Sequence, residues 1–138
     1  MLCHPPVMIR ELASAEVWSD DLWLLLTRIS DSPVLGFSYL IPRRHIPYIT
    51  DLDGAEAATL GSVLASVTST LKDAARAEYV FVTVFGERAA HLHFNLAPHI
   101  AGDSLKGGAG MLDADSTAVP DDELGAVADR VRLAMARD

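Results

Sequence analysis

The spacing of apolar residues changes along the chain, and each change marks an element. Val17, Trp18, Leu22, Trp23, Leu24, Leu25 and Leu26 crowd the stretch from Glu16 to Thr27. That density fits one or two strands with a turn near Asp20-Asp21. A short helix competes, because the run Leu22 to Leu26 has no clean period. Ser30-Asp31-Ser32-Pro33 reads as a turn, and Phe37-Ser38-Tyr39-Leu40-Ile41, stopped by Pro42, reads as a strand. From Asp53 to about Ala75 the period lengthens: Ala57, Leu60, Leu64, Val67, Leu71 and Ala74 recur every three or four residues, which predicts a long amphipathic helix. Asp53 with Glu56 three positions later resembles a capping pair at its start.

Tyr79-Val80-Phe81-Val82-Thr83-Val84-Phe85 is nearly continuously apolar, which predicts a strand in a central position. Gly86-Glu87-Arg88 is a tight connection, so His91 to Ala97 should be an antiparallel neighbour, ended by Pro98 for want of a ladder donor. Residues 101–120 are rich in Gly, Ser and Asp and predict a flexible loop. Residues 121–137 predict a helix: Asp121, Asp122 and Glu123 come first, Leu124, Val127, Ala128, Val131 and Ala134 or Met135 form the stripe, and Arg130, Arg132 and Arg137 come late. The expected fold class is α+β, a mainly antiparallel sheet packed against a long helix, with a C-terminal helix. The 138 residues are expected to form one domain with residues 1–10 as an N-terminal extension.

Charge and cysteine content narrow the partners. The formal charge of −8, from 11 Lys and Arg against 19 Asp and Glu, disfavours nucleic acid polymers and anionic membranes. It leaves room for a small phosphorylated ligand in a local pocket. No stretch approaches the roughly 20 apolar residues of a membrane span, and the first ten residues do not resemble a secretory signal. One cysteine forms no internal disulfide, so a cytoplasmic location is the simplest expectation.

The candidate chemistry lies in His91-Leu92-His93-Phe94-Asn95. Residues two apart on a strand point the same way, so His91, His93 and Asn95 should share one face while Leu92, Phe94 and Leu96 pack beneath the long helix. Two nearby imidazoles can divide nucleophilic and proton-transfer work, whereas the Asn95 amide can orient a neighbour but is no efficient acid or base. A solvated polar face with incidental histidines is the plain alternative. Against it, Ile41-Pro42-Arg43-Arg44-His45 places two cations and a further histidine just after an apolar strand, and His99 follows the motif.

Gly36-Phe37-Ser38-Tyr39-Leu40-Ile41-Pro42-Arg43-Arg44-His45 and His91-Leu92-His93-Phe94-Asn95-Leu96-Ala97-Pro98-His99, joined by the long helix, resemble the histidine triad (HIT) superfamily of nucleotide hydrolases and transferases. The resemblance takes in Glu16-Val17-Trp18 before them and Ala101-Gly102-Asp103 after. It implies that His93 attacks an α-phosphate to form a nucleotidyl-histidine intermediate and that His91 orients it. Asn95 stands in the place of the third motif histidine. Phe37 stands where many members carry a further histidine, and Phe85-Gly86-Glu87-Arg88-Ala89-Ala90 replaces a Gly-Gln-Ser-like segment.

The implied activity is hydrolysis of a nucleotide phosphoanhydride or phosphoramidate. The alternatives are a nucleotidyltransferase or dinucleotide phosphorylase, whose branch carries Gln in the third place, and a nucleotide-binding protein with weakened turnover. A metal-binding enzyme of another class, using His45, His91, His93 or His99, is a further reading. Asp31 is the candidate ribose contact, and Arg43, His99 and Lys106 are candidate ligand contacts, though each also reads as an ordinary solvated residue. Trp18 and Trp23 suit core or interface packing better than stacking on a base. No catalytic metal is expected. Members with structural zinc use the counterparts of His45 and His91, and here Cys3 or His4 would have to complete the set. The resemblance also implies a homodimer formed by joining sheets and packing the long helices.

Overall fold

A computed structural model describes residues 9–10, 12–84, 91–101 and 117–137. Five strands, β1 (Ser14–Ser19), β2 (Trp23–Arg28), β3 (Ser38–Pro42), β4 (Tyr79–Val84) and β5 (Phe94–His99), form one antiparallel sheet in the order β1-β2-β3-β5-β4. Two long helices among the described residues pack on the sheet, α1 (Gly54–Ala75) and α2 (Asp121–Ala136). Architecture and fold class agree with the sequence reading.

The stretch from Glu16 to Thr27 resolves into two strands because Asp20 makes the turn. Its Oδ1 accepts the backbone N–H groups of Leu22 at 2.8 Å and Trp23 at 2.7 Å, a local bond that competes with helix. β2 is then covered on both faces. Trp23 and Leu25 join the core under the helices with Leu40, Phe94, Leu96, Val67, Leu71, Val127 and Val131. Leu24 and Leu26 join Tyr39 and Ile41 in a smaller cluster on the opposite face, flanked by Ile9, Leu12 and Phe37. Trp23 is wholly buried, and its Nε1–H donates to Thr59 Oγ1 at 3.1 Å, which ties β2 to α1. The stripe of α2 is buried at Leu124, Val127, Ala128, Val131 and Met135.

Three expectations need correction. The run Tyr79 to Val84 is an edge strand, not a central one, and Tyr79, Val82 and Val84 are 59%, 41% and 39% exposed. Val80 packs against the core under the helices, while the rings of Tyr79 and Phe81 stack on the opposite face. The partner strand begins at Phe94, not His91, and it runs through Pro98 to His99. The β3–β5 ladder ends at Ser38–Leu96, so from there β5 is paired with β4 only, and an imide nitrogen is tolerated. Asp53 does occupy the N-cap of α1, but its side chain makes no cap bond. Its carboxylate and that of Glu56 are both turned to Arg44.

Gly36 marks the most crowded passage of backbone. It has φ +81°, and an added Cβ would lie 3.3 Å from Ala75 Cβ, 3.3 Å from Pro98 Cγ and 3.4 Å from Val127 Cγ1. Only glycine combines that conformation with that proximity. β3 can therefore enter the sheet directly beneath both helices.

Candidate functional site

β3 and β5 bring the candidate residues onto the face away from the helices. Tyr39 pairs with Asn95, and Asn95 pairs on its other side with Thr83. These three side chains share the face on which Leu24, Leu26 and Ile41 form the small apolar cluster. His93, one residue before β5, lies against the same face, its ring centroid 6.4 Å from that of Tyr39.

His91 and His93 do not share the arrangement expected of alternate strand residues. His91 is turned inward and is 3% exposed, whereas His93 is partly exposed. Backbone bonding explains the difference. Leu92 N–H donates to Ile46 O at 2.7 Å, so the segment before β5 is pinned to the turn after β3 rather than to a ladder. His91 Nε2 lies 2.9 Å from Pro42 O. A carbonyl only accepts, so Nε2 carries the proton and Nδ1 does not. Nδ1 is buried with no hydrogen-bond partner among the described residues. Burial pushes the His91 imidazole below its ordinary pKa; the bond to Pro42 opposes this, while the adjacent His45 and His93 add to it. Burial thus favours the neutral ring.

The same reasoning fixes His93. Its Nδ1 lies 3.1 Å from His91 O and must donate the proton to it. In the neutral ring that leaves Nε2 with a lone pair, the form an imidazole needs to act as a nucleophile. One backbone carbonyl thus selects the tautomer.

The turn that receives His91 is itself anchored. Arg44 Nε donates to Glu56 Oε2 at 3.1 Å, and Arg44 Nη2 donates to Glu56 Oε1 at 3.2 Å, to Asp53 O at 3.3 Å and to Asp53 Oδ1. The hydrogen bonds to Asp53 and then to Glu56 hold the guanidinium above its ordinary pKa. Glu56 is 4% exposed, so its charge is buried but paired.

Other expected contacts lie elsewhere. His99 sits at the far end of β5, six residues or about 20 Å along the chain from His93, stacked on Tyr79 at 6.2 Å and beside Phe81 at 5.6 Å. Asp31 is exposed with φ +52°, and its carbonyl accepts Arg28 Nη2–H at 2.6 Å. Arg43 is exposed just past β3, with its backbone N–H on Leu22 O at 2.8 Å. Lys106, Cys3 and His4 lie outside the described residues.

Two residues on the face escaped the sequence reading, Tyr39 and Arg28. Arg28 Nη1 donates to Tyr39 Oη at 3.1 Å. The signal for Tyr39 was its register, opposite Asn95, which no single-strand pattern contains. A groove of about 550 Å³ lined by Ser66, Thr70, Asp73, Arg130 and Arg137 runs between α1 and α2, and it holds no histidine.

The metal expectation can be tested on the donor set. His45 and His91 have ring centroids 5.4 Å apart at 88°, and the unprotonated, unpartnered His91 Nδ1 has the chemistry of a metal donor. The pair therefore fits as half of a zinc set. Among the described residues no group of three or more His, Cys, Asp or Glu is clustered to hold a metal. No helix among them is long and apolar enough to cross a membrane.

No protein-family profile matches the chain, and no curated protein matches it. Solved structures do. A histidine triad protein from Bradyrhizobium japonicum superposes with a TM-score of 0.74 at 20% identity, covering 94% of this chain and 94% of that one. A hypothetical histidine triad nucleotide-binding protein from Sulfolobus tokodaii strain 7 gives 0.73 at 20% identity, over 99% and 91% of the two chains. A Zn-bound histidine triad family protein from Mycobacterium smegmatis gives 0.68 at 15% identity, over 99% and 96%. At these identities the likeness is one of fold, and the chain has the same fold as these histidine triad proteins.

Proposed function

We propose that this protein binds nucleotides and that His93 Nε2 attacks the α-phosphate of a nucleotide phosphoanhydride or phosphoramidate. The observation that carries this reading is the His93 Nδ1 bond to His91 O, which leaves Nε2 as the reactive nitrogen at the edge of a face lined by Tyr39 and Asn95. In the first step a bond forms between Nε2 and phosphorus, and the bond from phosphorus to the leaving oxygen or nitrogen breaks, its electron pair departing with the leaving group, a leaving nitrogen taking a proton from solvent as it departs. In the second step water attacks phosphorus and releases a proton to solvent, the bond from nitrogen to phosphorus breaks with its electron pair returning to Nε2, and His93 is neutral again. Asn95 offers amide hydrogens to the phosphate oxygens, where negative charge needs fixed donors.

Asn95 also favours a second reading. An amide cannot take a proton from water, whereas an acceptor that is already an anion, such as phosphate or a sugar phosphate, needs no base. Nucleotidyl transfer or phosphorolysis therefore suits this face at least as well as hydrolysis. The test is incubation with dinucleoside polyphosphates, nucleoside phosphoramidates and nucleotide sugars, with and without phosphate or sugar phosphate. Turnover that requires the acceptor supports transfer, turnover in water alone supports hydrolysis, and neither turnover nor nucleotide binding overturns both.

Two further elements belong to this reading. His45 and His91 would give two imidazoles to a structural zinc, with Cys3 or His4 as a further ligand. Such an ion would fasten the turn after β3 to the histidine segment, leaving bond-making to His93. The exposed apolar edge of β4 supports the expected homodimer, because a strand with no second neighbour among the described residues and with Tyr79, Val82 and Val84 exposed is a template for a second copy.

A further inference from the structure

The turn over residues 42–46 touches three parts of the molecule. Pro42, the last residue of β3, is paired with Trp23 in the sheet. Its carbonyl receives the His91 ring at 2.9 Å, and the Ile46 carbonyl receives Leu92 N–H at 2.7 Å. Between those two acceptors stands Arg44, held in a two-point bond on Glu56 and further bonded to Asp53. Both carboxylates belong to the start of α1, and neither makes the capping bonds that their spacing suggests.

We infer that Arg44, anchored on Glu56 and Asp53, is a positioning residue that fixes the 42–46 turn so that its Pro42 and Ile46 carbonyls hold the His91–His93 segment in place. The line of contact is short and unbroken. Glu56 grips Arg44, the turn presents Pro42 O and Ile46 O, these set His91 and Leu92, and His91 O sets the His93 tautomer. Glu56 can act as the anchor because its buried carboxylate has a partner in the guanidinium, whose planar fork engages both oxygens. Lysine would preserve the charge but not the two-point grip.

A plain helix staple would use the same bonds, and two signals separate the readings. Trp23 Nε1–H bonds Thr59 on α1 and reports how the helix docks. His91 Nε2–H bonds Pro42 O and reports how the turn holds the histidine. Both are buried N–H groups that proton–nitrogen correlation spectra can follow in the intact protein. In Arg44→Lys and Glu56→Gln the His91 Nε2–H signal is expected to shift or broaden by exchange while the Trp23 signal stays in place. The catalytic consequence rests on the function proposed above: with a nucleoside phosphoramidate, kcat should fall ~10- to 100-fold at nearly constant KM, as small misplacement of a nucleophile does.

An unchanged His91 signal with wild-type kcat would overturn the inference. So would a joint shift of both signals with loss of thermal stability, which marks a helix staple. Absence of turnover and of nucleotide binding in the wild type, with and without phosphate as acceptor, refutes the proposed function, and the two N–H signals then decide the positioning role alone.

Discussion

Alanine at position 36 should destabilise the protein sharply, whereas the same change at position 61 should not. Gly36 has φ +81°, where an L side chain costs about 1–2 kcal/mol. The new methyl would also press on Ala75 Cβ at 3.3 Å, Pro98 Cγ at 3.3 Å and Val127 Cγ1 at 3.4 Å. None of these is the tip of a flexible side chain. Ala75 ends α1, the proline ring is rigid and Val127 is 1% exposed in the core, so relief requires a helix or strand to shift, at about 1–2 kcal/mol. The sum is about 2–4 kcal/mol, a large part of the roughly 5–15 kcal/mol that holds a domain together, and it should lower Tm by on the order of 10 °C. Gly61 lies within α1 with nothing within 4 Å of an added Cβ. Its replacement should stabilise the helix by about 0.5–1 kcal/mol. Urea unfolding of both variants, compared at equal m-values, is the assay. A loss below about 1 kcal/mol for Gly36→Ala would refute the picture of β3 threaded beneath two helices.

Stability should also depend on His91. Its folded pKa lies below the ordinary value of 6.5, so the unfolded chain binds the proton more readily. The contribution is complete above pH 6.5 and is lost as pH falls through the folded value. Wild type should therefore lose stability relative to His91→Gln between pH 7 and pH 5 in chelator-treated protein, and parallel urea midpoints would contradict this. Val82→Lys places a charge beside the open β4 edge, and it should halve the mass in solution while leaving the far-ultraviolet spectrum unchanged. A wild-type mass of one chain would sink the dimer. Asn95→Ala removes an amide from the face without touching the His93 tautomer, so kcat should fall ~10- to 100-fold while the His93 signals persist in proton–nitrogen spectra.

Much of the fold was legible because its signals are local. The periodicity of Leu60, Leu64, Val67 and Leu71 needs no distant partner to specify α1, and neither does the stripe ending at Met135 in α2. The histidine at position 93 stood out as part of a motif. What was not legible depends on contacts far apart in sequence. His91 and His93 alternate as strand residues would, but Pro42 O draws the first ring inward and Ile46 O takes the backbone N–H between them, so alternation misjudged which face His91 takes. Asp53 and Glu56 have cap spacing, yet a guanidinium nine to twelve residues upstream outcompetes the backbone for both. The edge position of Tyr79 to Val84 was hidden because an apolar run reads alike whether a strand is flanked on two sides or awaits a partner. Tyr39 became visible only through its register with Asn95.

The central claim is that His93 Nε2 forms a covalent bond to phosphorus, and mass measurement tests it most directly. Protein mixed with a nucleoside phosphoramidate or dinucleoside polyphosphate, then denatured at alkaline pH where nitrogen-to-phosphorus bonds survive, should gain the mass of one nucleotidyl group on the peptide that contains His93. His93→Ala should lose both adduct and turnover, while His99→Ala keeps both, its ring lying at the far end of β5. Turnover that persists in His93→Ala, or an adduct mapped to another residue, would contradict the account.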